Sequence, residues 1–301
     1  MSTNIFAPPL AVGCTVGLVS PCETKSRERL EITATALRSL GFNVRFGTNT
    51  FKDTWGYAAS ASERAEDINR MAADDDVRLV ILGGGETATE VLPLLDYELI
   101  ASKPKRYCSF SDGTSILNAI TSQCHLVTYH GQSFRTFDDL SEYNLTNFLT
   151  RVMRDDGVYR PANDWTILRG GTAEGTAVCG YTQNLCLLLS SPFFKYDISD
   201  GYVIFTEDHS FFSCEAAVAR YISHLAQSDF FKCVKGVVFG CYDESDSEEG
   251  IIRILGRMAD ALGIPVAKCR DFGHGENNAV IPNGARCRVS FEPQPQVTTL
   301  L

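Results

Sequence analysis

Several features that would assign a chain to a membrane, to secretion or to nucleic acid are missing from this sequence. No segment reaches the roughly 18 consecutive apolar residues that a membrane-spanning helix needs. No charged region precedes the apolar stretch within residues 1–21, as it would in a signal peptide. No run of basic residues stands out, and 27 Lys plus Arg against 37 Asp plus Glu give a net charge of −10. We therefore expect a cytoplasmic protein with neither membrane nor nucleic-acid partners.

The cysteines lack the patterns of a disulfide scaffold or a zinc site. There are 11 of them, which is an odd number, and no C-x-x-C pair occurs. Several lie inside apolar runs, among them Cys14, Cys186, Cys233 and Cys241. We expect reduced, mostly buried cysteines that pack as small apolar side chains.

What the sequence does contain is an alternation of strands and helices. The 301 residues are enough for about two domains. In the first half, apolar runs predict strands at residues 14–20, 42–46, 77–82, 107–110 and 126–129. Helical periodicity follows the first four of these, at residues 30–37, 62–73, 87–94 and 114–122. This order predicts an α/β fold with a parallel sheet covered by helices on both faces.

The pattern lapses between Asp155 and Gly180, where glycines and polar residues are frequent. We predict an N-terminal domain at residues 1–155, a connector at 156–180 and a smaller C-terminal α/β domain at 181–301. In the last of these, strands are predicted at 202–205, 234–239 and 265–268, and helices at 214–226 and 250–262. The acidic segment 243–249 is interpreted as a solvated loop rather than a metal site.

A possible nucleophile lies between the fourth predicted strand and the helix after it. The segment S-F-S-D-G at 109–113 places small residues two positions before and after Ser111, as a cramped nucleophile turn requires. The first N–H groups of the following helix would face a developing oxyanion. Ser111 as a plain helix N-cap is an equally open interpretation.

A glycine-rich loop, G-G-G-E-T at 83–87, follows the third predicted strand. Backbone amides of such a loop can approach an anion, which suits an oxyanion-hole donor near Ser111. A tight turn is the alternative. The loop also satisfies a loose G-x-G-x-x-A dinucleotide pattern, but it does not follow the first strand and Asp112 is no secure ribose ligand.

A candidate base and acid come from the second half. His274 is flanked by two glycines just after a strand, which leaves its ring accessible, and His130 at the end of another strand is the rival. Glu207 follows a predicted strand, where a carboxylate can orient a histidine, and Asp208 competes for that role.

Together these segments resemble the serine peptidase family of L,D-carboxypeptidases (muramoyltetrapeptide carboxypeptidases) and microcin C immunity proteins. The matching stretches, in order along the chain, are V-G-L-V-S-P at 16–21, R-A-E-D-I-N at 64–69, L-P-L-L-D-Y at 92–97, F-S-D at 110–112, G-T-A-E-G at 171–175, F-G-H-G at 272–275 and I-P-N-G at 281–284.

The resemblance implies a nucleophile, acid and base at Ser111, Glu207 and His274, in a cleft between two domains. It implies that the nucleophile belongs to an N-terminal flavodoxin-like sheet and that the acid and base belong to the C-terminal domain. It implies an oxyanion hole made by the backbone amides of Gly85 and Asp112. It further implies a cytoplasmic enzyme, active without a metal or another cofactor, which acts on a small peptide-like substrate and is often a homodimer.

This chain departs from the family pattern in three places. The family's R-G-G-Y-G is G-G-G-E-T here, the glycine before the nucleophile turn is Ser109, and the family's G-G-N-L is G-Y-T-Q-N-L at 180–185. The first change removes a cation that would bind a substrate carboxylate and introduces Glu86. Arg169 and Arg135 are the candidate replacements. The remaining substrate-binding candidates are Gly84 in the loop and Trp165, whose ring offers a stacking face or packs against a domain edge.

Three functions follow as hypotheses. The first is release of a terminal D-Ala from murein tetrapeptide through an acyl-enzyme. The second is hydrolysis of peptide- or aminoacyl-nucleotide amides, as in microcin immunity. The third is a non-catalytic binding module on the same scaffold.

Overall fold

The computed structural model describes residues 4–138, 140–242 and 248–300. Within these ranges the strands form two sheets, one of six strands and one of eight, with helices packed against them. Most of the acidic segment predicted as a solvated loop, residues 243–247, lies outside the described residues. No helix in the described ranges is both long enough and apolar enough to cross a bilayer.

The first sheet is built mostly from the N-terminal half. Its strands are β1 (Thr15–Val19), β2 (Asn43–Phe46), β3 (Val77–Leu82), β4 (Arg106–Ser109), β5 (Thr128–His130) and β12 (Ile281–Asn283), in the order β12-β5-β4-β3-β1-β2. β1 to β5 run parallel, whereas β12 pairs antiparallel with β5. β1 is buried along its whole length, as expected for a parallel strand covered on both faces.

The helices of this half follow the predicted alternation. They are α1 (Arg27–Ser39), α2 (Ala61–Ala73), α3 (Tyr97–Ser102), α4 (Thr114–Cys124) and α5 (Glu142–Asn147). α2 begins with a capping box in which Ser60 and Glu63 satisfy each other's backbone amides. The helix predicted at 87–94 is instead a 3₁₀ helix, Ala88–Leu94, which contains Pro93. Short 3₁₀ turns also occupy Ser111–Gly113 and Phe134–Phe137, and a π-helical turn occupies Phe148–Val152.

The second sheet has eight strands among the described residues. They are β6 (Val158–Tyr159), β7 (Thr166–Arg169), β8 (Thr172–Tyr181), β9 (Tyr202–Glu207), β10 (Val234–Cys241), β11 (Val266–Gly273), β13 (Arg286–Ser290) and β14 (Gln296–Thr299), in the order β6-β14-β13-β8-β9-β10-β11-β7. The helices of this half are α6 (Thr182–Leu188), α7 (Glu215–Ala226), α8 (Glu249–Leu262) and the 3₁₀ turn Phe230–Cys233.

The expected connector is not an irregular segment. Residues 156–180 contribute β6, β7 and nearly all of β8 to the second sheet. Gly175, which suggested a turn, is required instead by close packing within the sheet, since a Cβ there would lie 2.5 Å from the Gly201 carbonyl oxygen.

One of the buried hydrophobic clusters spans both halves. It includes Leu117 on α4 and Val178 on β8, and Asn118 of α4 donates a hydrogen bond to the Cys179 carbonyl at 2.8 Å. Because the carboxyl ends of β3, β4, β9 and β11 all lead into one cleft, the fold brings the sequence motifs of both halves together.

Candidate active site

The backbone at Ser111 is strained. β4 ends at Ser109, and Ser111 begins the short turn before α4 with a φ of +58°, a left-handed value that non-glycine residues rarely adopt. This conformation directs the backbone sharply from strand to helix and leaves the Ser111 side chain lining the cleft. Such strain is typical of a nucleophile turn and gives no advantage to a plain N-cap.

Ser109 fills the space beside this turn. Its buried hydroxyl donates a hydrogen bond to the Leu82 carbonyl oxygen at 2.9 Å. A Cβ on Gly113 would lie 2.1 Å from the Ser109 Oγ, so residue 113 has room only for glycine while Ser109 is present. The serine that replaces the family's glycine is therefore accommodated, because its hydroxyl is satisfied by β3.

The glycine-rich loop lies directly against the nucleophile turn. A Cβ built on Gly84 would lie 3.6 Å from the Ser111 Cβ, and one on Gly85 would lie 2.6 Å from the Glu23 Cβ. A side chain at position 85 would therefore clash with Glu23 and push the loop away from it. The main chain at Gly84 lies close to the Ser111 turn. The amide of Gly85 stays a predicted oxyanion donor.

Asp112 connects the two halves below the nucleophile. Its buried carboxylate accepts a hydrogen bond from the Ala88 amide at 2.7 Å and another from the Asn184 side chain of α6 at 2.7 Å. Burial raises the pKa of Asp112, and these donors oppose that effect. The side chain therefore fixes the glycine loop and the Ser111 turn relative to each other, while its amide stays a predicted oxyanion donor.

Glu207 and His274 form a buried pair at the strand ends of the second half. His274 Nδ1 lies 2.7 Å from Glu207 Oε2, and the Glu207 side chain is fully buried. Gly273, which directly precedes the histidine, has a φ of +97°, and a Cβ there would lie 3.0 Å from the Glu207 side chain. A glycine before the histidine is thus needed to bring the ring over the carboxylate.

The surroundings of His274 raise the pKa of its imidazole overall. Burial lowers the pKa of its imidazole, but the charge and hydrogen bond of Glu207 outweigh burial and raise the pKa above its usual value of 6.5. The ring packs edge-on against Phe110 and Tyr181 and is tilted against Phe212. These contacts hold its free edge toward the cleft, where the imidazole and Ser111 are both lining groups.

Ser111 and His274 line one cleft of about 720 Å³. In the described part of the chain no hydrogen bond joins the Ser111 hydroxyl to the imidazole. Bonds between a nucleophile and its base are often long without substrate and shorten when substrate binds. The arrangement brings the predicted nucleophile, base and acid together beside the glycine loop.

His130 and Asp208, the alternative base and acid, lie in different surroundings from His274 and Glu207. His130 is fully buried, neither of its ring nitrogens has a hydrogen-bond partner among the described residues, and burial lowers its pKa to about 4. It is therefore a neutral core residue near neutral pH. Asp208, the rival acid, accepts a hydrogen bond from the His209 amide, and burial raises its pKa to about 6. Neither replaces the Glu207–His274 pair.

Two family models cover most of the chain. The LD-carboxypeptidase N-terminal domain matches residues 16–131, and the LD-carboxypeptidase C-terminal domain matches residues 174–289. The chain belongs to the LD-carboxypeptidase family. The sequence-based family assignment and the two-sheet α/β fold class are therefore confirmed.

The relatives of this LD-carboxypeptidase family member carry two kinds of names. The chain is 30% identical to the "Probable murein peptide carboxypeptidase" of Bacillus subtilis (strain 168) over 300 residues, which is 96% of this chain and 92% of that protein. It is 25% identical to the Microcin C7 self-immunity protein MccF of Escherichia coli, over 97% of this chain and 94% of the other. In structure it is similar to an MccF-like protein from Bacillus anthracis, with a TM-score of 0.88 and 24% identity over 98% and 99% of the two chains.

Two predicted substrate-binding residues of this family member lie away from the cleft. Trp165 is buried between Tyr159 and Phe291, and its indole N–H donates to Asp271 at 2.7 Å. The ring is therefore a packing element at the edge of the second sheet, which was the alternative interpretation, and offers no stacking face to a substrate.

Arg169 is excluded from the cleft by strand register. It pairs with Val266, at the amino end of β11, whereas His274 follows the carboxyl end of that strand. Strand geometry separates these two ends by about 23 Å. The prediction of Arg169 as a carboxylate ligand is wrong for this reason, while Arg135, the other candidate, does line the cleft with Gly84, Gly85 and Glu86.

The supporting roles of two residues were not identified from the sequence. Arg64 is buried and donates to the carbonyl oxygens of Ala59 and Pro21 and to the Thr87 hydroxyl, which supports the end of the glycine loop. Asn184 contributes to the Asp112 network described above. The sequence signal for the first of these is the family-like stretch R-A-E-D-I-N at 64–69, which begins with Arg64. No group of three or more residues suited to holding a metal ion occurs in the part of the chain that the structure describes.

Proposed function

We propose that this protein is a serine carboxypeptidase that hydrolyses an amide bond through an acyl-enzyme. The observation that carries the proposal is the 2.7 Å contact between His274 and buried Glu207, in the cleft that Ser111 lines with a left-handed backbone. The nucleophile and the oriented base come from separate halves and lie next to the glycine loop. Together with the acid, they are the groups of a Ser-His-Glu hydrolase.

The reaction follows from these positions. His274 accepts the Ser111 proton as the hydroxyl oxygen attacks the scissile carbonyl carbon. The amides of Gly85 and Asp112 bind the resulting oxyanion. His274 then donates its proton to the leaving amine, the C–N bond breaks, and an ester with Ser111 remains. Water attacks this ester with the same base and releases the acid.

The substrate we propose is a murein tetrapeptide, from which the enzyme releases the terminal D-Ala next to the L-centre of a diamino acid. Support comes from the B. subtilis relative, whose name describes a murein peptide carboxypeptidase and which aligns along nearly the whole chain. In this role the enzyme acts in the cytoplasm, as a homodimer, during peptidoglycan recycling.

A second candidate is hydrolysis of a peptide- or aminoacyl-nucleotide amide. The relative MccF is named as a microcin self-immunity protein, and it aligns over 97% of this chain. The specific observation in favour is Phe212, whose ring is 53% exposed and lines the cleft next to His274. An exposed ring at this position offers a stacking face to a nucleobase, as the sequence suggested for Trp165.

A non-catalytic binding module explains the site less well. A left-handed serine costs conformational energy, and a fully buried carboxylate is costly unless it has a charged partner. Ser111 carries the first cost, and Glu207 is compensated by its contact with His274. Ligand binding alone requires neither the strained serine nor the buried pair.

Product analysis distinguishes these functions. The protein is incubated with an L-Lys- or diaminopimelate-containing murein tetrapeptide, with its L-Ala-terminated isomer, and with an aminoacyl-sulfamoyl adenosine, and products are identified by mass spectrometry. We expect loss of one D-Ala from the first substrate and no loss with Ser111→Ala. Cleavage of the nucleotide amide alone would favour the second candidate, and no cleavage of any substrate would contradict a hydrolase.

A further inference from the structure

The segment that begins with His274, residues 274–280, passes from one sheet to the other, and we call it the base loop. It follows β11 of the eight-stranded sheet and leads into β12 of the six-stranded sheet. Glu207, which contacts the imidazole, ends β9 of the eight-stranded sheet. That contact orients the ring within its own half of the molecule. The position of the ring relative to Ser111 depends on contacts between the base loop and the half that carries the nucleophile.

Asn278 lies within the base loop and is buried, with 6% of its surface exposed. Its side-chain amide donates hydrogen bonds to the carbonyl oxygens of Gly273 and Gly275, at 3.1 and 3.3 Å. These two glycines flank His274 in the chain. Asn278 therefore holds the main chain on both sides of the imidazole.

The remaining polar groups of Asn278 bind the half that carries the nucleophile. Its side-chain oxygen accepts a hydrogen bond from the Thr136 hydroxyl at 2.7 Å. Its carbonyl oxygen accepts one from the Gln132 side chain at 3.2 Å, and its amide donates one to the Asn144 side chain at 2.7 Å. All three partners are buried, where hydrogen bonds are stronger than in water and an unpaired polar group is costly. Asn278 is thus held in one position between the two halves.

The turn that contains Thr136 is attached in the same way to the nucleophile turn. Ser133 caps this turn, and its hydroxyl donates a hydrogen bond to the Leu82 carbonyl oxygen at 2.7 Å. The same oxygen accepts the hydrogen bond of Ser109, beside the nucleophile turn. Buried hydrogen bonds therefore connect the surroundings of Ser111 to the base loop.

We propose that Asn278 is a positioning residue that sets the distance between the His274 imidazole and the Ser111 hydroxyl. Glu207 sets the orientation and the protonation of the ring, whereas Asn278 fixes the loop that carries it against the nucleophile half. The inference rests on the proposed function and adds to it a residue outside the reacting atoms. Because a base must lie within hydrogen-bond reach of its proton, a displacement of about 1 Å would lower the rate by about 10².

Thr136→Val tests this connection without changing the base loop. Valine has nearly the shape of threonine but no hydroxyl, so it leaves the Asn278 side-chain oxygen without its donor. We expect kcat to fall at least about tenfold with little change in KM. The acidic limb of kcat/KM should stay at the wild-type pH, because Glu207 still contacts His274. Thr136→Ser keeps the hydroxyl and should restore most of kcat.

Asn278→Leu removes the connection at its centre, and Asn147→Leu is the matched control. Asn147 is buried to the same extent and accepts a hydrogen bond from the Val280 amide at 3.2 Å, at the end of the base loop next to β12. Each substitution replaces a buried asparagine that binds the base loop, so both should lower the thermal midpoint. Only Asn278→Leu should also lower kcat by about 10².

Labelling of Ser111 with a fluorophosphonate separates a displaced base from a partly folded protein. A displaced base slows labelling in every molecule, so the adduct still reaches one per chain. Partial unfolding instead reduces the labelled fraction and leaves the rate of the folded fraction unchanged. We expect slow but complete labelling for Thr136→Val and Asn278→Leu, and rates near wild type for Thr136→Ser and Asn147→Leu.

The outcomes separate this inference from the proposed function. The role of Asn278 is overturned if Thr136→Val labels at the wild-type rate, if its loss is confined to the labelled fraction, or if Asn147→Leu is slowed as much as Asn278→Leu. The hydrolase then stands. If Asn278→Leu does not fold, the two Thr136 variants decide the question by themselves. If the wild-type protein neither labels nor cleaves a substrate, the proposed function fails together with the inference.

Discussion

The nucleophile half and the base half of the cleft are built by different means. Around Ser111, positions are set by the main chain: a left-handed φ, glycines where a Cβ has no room, and the start of α4. Around His274, the orientation of the ring is set by one side-chain pair, since Glu207 lies 67 residues earlier in the chain and is fully buried. Local sequence therefore encodes the first half, and long-range packing and electrostatics create the second.

The largest effect should come from the nucleophile itself. Ser111→Ala removes the attacking oxygen, and we expect kcat to fall by about 10⁶, as for loss of a nucleophile in a serine protease. The thermal midpoint should stay near the wild-type value, because the cleft-facing hydroxyl has no structural hydrogen bond among the described residues.

Ser109→Ala is the matched control for this variant. It removes a neighbouring hydroxyl that is bonded to Leu82, so stability should decrease while activity stays within about tenfold of wild type. If Ser111→Ala retained substantial hydrolysis, or Ser109→Ala abolished it in a folded protein, the nucleophile would have been assigned to the wrong serine.

The pH dependence of kcat/KM tests the half of the cleft that carries His274. Wild-type kcat/KM should fall as the pH drops through the His274 pKa, which lies above 6.5, because only the neutral imidazole accepts a proton. Glu207→Gln removes the charge that raises this pKa and leaves burial, which lowers it. The acidic limb should therefore move to lower pH, while the maximal rate falls by about 10⁴, as for the corresponding acid in a related triad.

Asp208→Asn is the control for the pH shift. Its charge also raises the His274 pKa, but Glu207 adds a hydrogen bond to the ring, so with Asp208→Asn the limb should move in the same direction by less. Equal shifts in the two variants would mean that Glu207 has no special contact with the base.

A pair of glycine-site variants tests the main-chain side. Gly113→Ala forces a Cβ against the Ser109 hydroxyl and should displace the turn, with a rate loss of about 10²–10³ if an oxyanion amide moves with it. Adding Ser109→Gly removes the clashing atoms and leaves the Gly83 carbonyl oxygen, at 3.6 Å, as the next contact. Rate and thermal midpoint should both recover in the double variant. A double variant as impaired as Gly113→Ala would show that the turn depends on something other than this contact.

The smallest catalytic effect is expected at the other strand-end histidine. His130 is buried and neutral, so His130→Gln should change kcat by less than about tenfold in the folded protein and leave the acidic limb in place. If His130→Gln kept a native circular dichroism spectrum but lost as much activity as a His274 variant, the roles assigned to His130 and His274 would have to be exchanged.

The sequence predicted those features that depend on local pattern. The alternation of apolar runs and helical periodicity located β1 to β5, and positions just after strands located the candidate groups near Ser111, Glu207 and His274. Strand β8 was not predicted because its glycines resemble turn residues, whereas Gly175 permits contact with the Gly201 backbone. Strand register cannot be determined from a single sequence.

Register also explains why the two cations could not be ranked from the sequence. Arg169 and Arg135 are both arginines in polar surroundings, but β7 pairs with the amino end of β11 and removes the first from the cleft. The turn carrying the second is held near His274 through Thr136 and Asn278, a contact across 142 residues of chain.

Labelling with a fluorophosphonate tests the central claim most directly, because the probe needs no knowledge of the substrate. The claim is that Ser111 is a nucleophile activated by His274 and Glu207 across the cleft. Peptide mapping of the wild-type protein should find one adduct, on Ser111, and His274→Ala should slow its formation by orders of magnitude. An adduct on another residue, no adduct, or an unchanged labelling rate in His274→Ala would contradict the account.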